Sequence, residues 1–168
     1  MKHFISLVVV LLVSITCKGL ERKEIAVSNL SMVVKTTTEQ THWLYGAADF
    51  VTKNDGRMDC DANTLWNNNT FTVLSGILFV NKGSEDEQKF KIVSCSYTKD
   101  NVFADAGVSE THRLMVYPIS EDGVSKLLTF ITIEKVTNAG KARTIVTIPA
   151  IDMDGRLQSV NVYTTKSK

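Results

Sequence analysis

From residue 30 to residue 165, apolar and polar positions alternate in short runs rich in Val, Ile, Thr, Phe and Tyr. Period-two alternation of β-branched and aromatic residues marks strands with one face turned to a core. It predicts strands over residues 30–38, 42–52, 70–80, 89–98, 113–118, 126–136, 142–148 and 156–165. Between them stand Asn54-Asp55-Gly56, Asn81-Lys82-Gly83, Glu121-Asp122-Gly123, Asn138-Ala139-Gly140 and Asp154-Gly155. Each offers residues that tolerate positive φ, so each can reverse the chain. No stretch of helical length carries a 3.6-residue apolar period, and there is no internal repeat.

Short reversals between strands imply antiparallel neighbours, because parallel strands need long crossovers. The fold class is therefore all-β, and the architecture that fits best is an antiparallel β-sandwich of about eight strands in a mainly meander order. A closed up-and-down barrel is the alternative. The longest connections, residues 56–69 and 100–111, are the natural places for a functional loop.

The one region outside this pattern is the start of the chain. Met1 is followed by Lys2 and His3, then by an apolar run over residues 4–15 interrupted only by Ser6 and Ser14. A basic start, a short apolar core and small residues at Cys17 and Gly19 describe a secretory signal peptide over residues 1–19. A bilayer core about 30 Å thick needs roughly 20 apolar residues, so this run is short for an anchor. No membrane span is expected in the mature form. Cleavage after Gly19 leaves a single secreted β domain, residues 20–168, long enough to build its own core.

Secretion changes how several residues read. Of the three cysteines, Cys60 and Cys95 survive cleavage. In an oxidising compartment the simplest expectation is a disulfide between them, with two buried unpaired thiols as the rival. The loop that the bridge would close is worth roughly 3 to 4 kcal/mol on chain entropy. Asn29-Leu30-Ser31 and Asn68-Asn69-Thr70 become glycosylation sequons, with Asn68 the stronger because it opens a strand from a polar loop.

Charge and chemistry narrow the function by elimination. The chain carries 19 Lys+Arg against 18 Asp+Glu, and the leader removes Lys2 and Lys18, so the mature domain is near neutral. No basic patch recommends nucleic acid as a partner. Asp49, Asp55, Asp59 and Asp61 flank Cys60, but their spacing matches no EF-hand loop, and turn carboxylates are the plainer reading. His42 and His112 stand beside predicted strands, no serine sits in a G-x-S-x-G turn, and no phosphate-binding glycine loop is present. No catalytic, cofactor or metal residue is assigned. Trp66 is the one large aromatic in a predicted loop, and tryptophan is favoured at binding hot spots, so it is the candidate contact residue.

In length, predicted β content and an early tryptophan, Trp43, the chain resembles the lipocalins, whose barrels enclose small apolar ligands. The family's Gly-x-Trp is replaced here by Gln40-Thr41-His42-Trp43. The layout of a leader and one small β domain is also similar to many salivary, venom or haemolymph proteins. The expected function is non-enzymatic extracellular recognition of a protein or glycan, as a component of such a secretion. The alternatives are carriage of a small apolar ligand in a barrel, and hydrolysis by a dispersed acid/base pair.

Overall fold

The structure is a computed structural model and describes residues 21–43, 61–102, 107–151 and 156–165. The described chain is almost wholly extended. In order come β1 (Glu21–Ile25), a 3-10 turn (Val27–Asn29), β2 (Met32–Thr36), β3 (Thr38–Trp43), β4 (Asp61–Leu65), β5 (Asn69–Leu74) and β6 (Ile77–Val80). Then follow β7 (Gln88–Val102), β8 (Gly107–Ser120), β9 (Gly123–Val124), β10 (Thr129–Asn138), β11 (Lys141–Ile151) and β12 (Leu157–Thr164).

The all-β antiparallel expectation holds, with twelve strands in one sheet among the described residues. Lateral order is β2-β5-β6-β7-β8-β10-β11-β12-β3-β4, with β1 added to β7 and β9 to β8. The sheet curls into a half-barrel, an arrangement between the sandwich and the barrel that the alternation suggests. The strand count rises for identifiable reasons. The run 70–80 is cut into β5 and β6 by Ser75 (φ 52°) and Gly76 (φ 76°), a pair of positive φ values that makes a tight hairpin turn. Ala139 and Gly140 (φ 48° and 78°) do the same between β10 and β11, as their sequence predicts. The expected loop over 100–111 is mostly strand, because β7 and β8 pair as far as Val102 and Gly107.

The curl is set at Thr37. β2 pairs with β5, whereas β3 pairs with both β12 and β4, and Thr37 is all that separates β2 from β3. Its N–H donates to the Thr164 carbonyl at 3.0 Å, and the Thr165 N–H donates to that of Thr144 at 3.0 Å. The path of paired strands thus begins and ends on one continuous run of chain. Between the pairs Thr36↔Asn69 and Glu39↔Leu65, the β4–β5 run carries one residue more than the run it faces. That surplus is the geometry of a β-bulge, which bends the strand and re-aims side chains.

Inside the curl, alternate residues of successive strands meet: Phe71 and Val73, Leu78 and Val80, Phe90 and Ile92, Leu114 and Val116, Ile131 and Ile133, Val146 and Ile148. Phe71 and Tyr163 close the ring edge to face, their centroids 5.0 Å apart, so opposite ends of the sheet path touch through one aromatic pair. Burial pushes the Tyr163 phenol well above its ordinary pKa, with the Glu39 carboxylate adding to the rise. Among the described residues, no helix is long and apolar enough to cross a membrane.

Because Phe71 is fully buried at that closure, Phe71→Ala is expected to cost about 3 to 5 kcal/mol in denaturant unfolding. Val33→Ala, at a position 63% exposed, should stay within about 0.5 kcal/mol.

Candidate functional site

The bulge at the seam puts Trp66 where a contact residue is useful. Residues 66–68 leave the strand pattern between β4 and β5, and the indole is 71% exposed beside Leu65 at 53%. Next to it runs an outer groove of about 270 Å³ lined by Thr38, Gln40, Thr64, Trp66, Arg143 and Thr165. Thr165 is fixed there because its Oγ1 accepts the Thr144 N–H at 2.9 Å. The groove thus combines one aromatic face with hydroxyls, an amide and a guanidinium.

A second outer groove, about 500 Å³, lies on the other side of residues 66–68 and is lined by Asn68, Thr70, Asn81, Lys82, Ser84 and Asp86. Its wall is the loop between β6 and β7, organised by Asn81 at φ 52°. The Asn81 Oδ1 accepts the Thr70 N–H at 2.9 Å, while Nδ2 donates to Asn69 Oδ1 at 2.9 Å and to Asp86 Oδ2 at 2.8 Å. Ser84 donates from Oγ to Asp86, and the Gly83 N–H donates to Glu87 Oε2 at 2.7 Å. The Ser84 hydroxyl, and then the Asn81 amide, hold the Asp86 carboxyl below its usual value; Lys89 does the same for Glu87. Ser84 and Asp86 thus hold the charged loop between β6 and β7 to Asn81, and Asn81 ties it to β5.

Both sequon asparagines are exposed. Asn68 sits on the rim of the larger groove, and Asn29 ends the 3-10 turn, its Oδ1 accepting from Ser28 Oγ at 3.4 Å. Cys95 carries a free thiol and is completely buried in the core. Burial, with a contribution from Glu24, pushes that thiol up to about 11, the character of an inert core cysteine. Cys60, the partner expected for it, lies outside the described residues, as do Asp49, Asp55 and Asp59. Asp61 stands in β4, and no cluster able to hold a metal occurs among the described residues.

His112 is not at a strand end. It stands within β8, half-buried, its ring tilted against Tyr97 at 5.1 Å. The Tyr97 hydroxyl donates to Glu110 Oε1 at 3.2 Å, and Lys99 pairs with the same carboxylate at 3.3 Å. The imidazole faces an aromatic ring rather than a nucleophile, so the cluster reads as packing on the inner rows of β7 and β8. Desolvation lowers the His112 pKa, with Lys23 acting in the same direction and Glu110 against it.

Comparison with protein-family models, with curated proteins and with solved structures gives no match. The functional reading therefore rests on the geometry of this chain.

A histidine held below its unfolded pKa binds its proton more readily once the chain unfolds, so it weakens the fold as pH drops through that range. Thermal stability should decline from about pH 7 to about pH 5.5. His112→Gln should flatten that part of the profile, measured as melting temperature against pH.

Proposed function

We propose that the protein is a secreted, non-enzymatic recognition protein that binds an extracellular partner, a protein or a glycan, through the outer surface around Trp66. The observation that carries this reading is the 71% exposure of Trp66, presented by the seam bulge beside exposed Leu65 and above the groove containing Gln40, Thr64 and Arg143. An indole held out on a rigid sheet buries a large area on contact at small entropic cost, which is why tryptophan dominates binding hot spots.

The packed part of the concave face favours recognition over carriage. Phe71, Leu78, Leu114 and Ile131 are fully buried there against their neighbours, so that part of the face is packed core. Export by residues 1–19 would bring the exposed Asn29 and Asn68 to the glycosylation machinery. A glycan at Asn68 would stand on the rim of the larger groove and leave the Trp66 face to the partner.

The test uses a partner isolated from the protein's own fluid, with its affinity measured for wild type and Trp66→Ala. The expected result is a Kd raised roughly thirtyfold or more, as for removal of a hot-spot anchor, with the unfolding midpoint unchanged. An unchanged Kd would contradict the proposal.

A further inference from the structure

A third outer groove lies away from Trp66, across β1, β7, β8 and β10. It holds about 260 Å³ and is lined by Arg22, Ser96, Thr98, Thr111, Arg113 and Thr132. Strand register explains the grouping. Ser96, Arg113 and Thr132 stand opposite one another on β7, β8 and β10, so their side chains share one face. In the adjacent row of that face Arg22 faces Thr98, which faces Thr111. Arg22 reaches this place only because β1 pairs along β7 from Cys95 to Lys99, a stretch that β6 leaves free.

Every polar side chain of the lining can donate a hydrogen bond: two guanidiniums and four hydroxyls. Among the described residues neither Arg22 nor Arg113 forms an ion pair. The two carboxylates of these rows are placed otherwise. Glu24 stands opposite Ser96 toward the edge of the sheet, and Glu134, beside Thr111, accepts the Ser109 hydroxyl at 2.6 Å. Arg113 is also pre-positioned, its guanidinium lying 4.3 Å above the Phe130 ring, which restricts its rotamers while its N–H edges stay open.

From two unpaired guanidinium forks and converging hydroxyls, the geometry points to a binding site for a tetrahedral oxoanion, a sulfate or phosphate group, between Arg22 and Arg113. Arginine forks suit such anions because two parallel N–H donors match two of its oxygens, and the hydroxyls supply the remaining bonds. The group is either a free anion or an ester carried on a larger molecule; the donor set is the same for both. The site is separate from the Trp66 groove and stands or falls independently of it.

The test follows backbone amide shifts while wild type is titrated with inorganic sulfate, inorganic phosphate and a heparin-derived tetrasaccharide. The expected result is a saturable shift with both ions, centred on Ser96, Thr98, Thr111 and Thr132 and weakened by added chloride. Arg22→Gln and Arg113→Gln should each weaken it roughly tenfold or more, and Arg113→Lys, which keeps the charge but not the fork, by less. Trp66→Ala should bind as wild type. Tighter binding of the tetrasaccharide, lost in the same variants, supports the site and assigns it to sulfate esters; equal binding supports it as a free-anion site. Absence of a saturable shift with either ion, or unchanged affinity in both glutamine variants, would overturn it. Both arginines are exposed, so retained amide dispersion in the variants keeps either result interpretable.

Discussion

The structure depends on one closure. Phe71 of β5 and Tyr163 of β12 belong to strands far apart along the pairing path, yet their rings meet edge to face at 5.0 Å. That contact is possible because β2 and β3 are a single run of chain that changes partners at Thr37, giving its first half to β5 and its second to β12 and β4. A flat sheet of this length would expose one apolar face along its whole width. Curling it on a bulge buries that face against itself, so Leu78, Leu114 and Ile131 lose their last contact with water.

The same closure divides the molecule's tasks. With Phe71, Leu78, Leu114 and Ile131 packed on the concave face, the convex face carries the grooves beside Trp66 and Arg113, and the strand rows decide what stands there. At the seam Trp66 stands outward beside Thr64 and Gln40. On the other flank, β1 docks on the free length of β7 and adds Arg22 to a row of hydroxyls facing Arg113. Each groove is thus a by-product of how a sheet edge is covered: one edge by the chain changing partners at Thr37, the other by an added strand. Covering edges also removes the templates on which other chains could pair.

Much of this was legible in the residues, and the parts that were not share a cause. Period-two alternation marks β10 and β11 well, because Ile131, Ile133, Val146 and Ile148 face the core while their neighbours do not. The exposure of Trp66 follows from its polar surroundings. By contrast, Glu21–Ile25 is nearly all charged and carries no apolar alternation, so β1 cannot be read locally; its pairing comes from the open edge of β7. The Ser75-Gly76 turn is hidden because apolar residues flank it on both sides, and only the positive φ values reveal it. The hydroxyl and arginine groove has no motif at all, since its members are gathered from four strands by register. The burial of Cys95 likewise depends on register, which sets it in one row with Leu114 of β8 and Ile131 of β10.

The claim at the centre of this account is that the concave face serves stability and the convex face serves binding. Native mass spectrometry of the protein purified from its native source, with any glycans removed enzymatically, tests it most directly. The account predicts the bare polypeptide mass, with nothing apolar released on extraction into organic solvent. A stoichiometric lipid or pigment that is recovered by extraction, and retained when Trp66 is replaced by alanine, would contradict it.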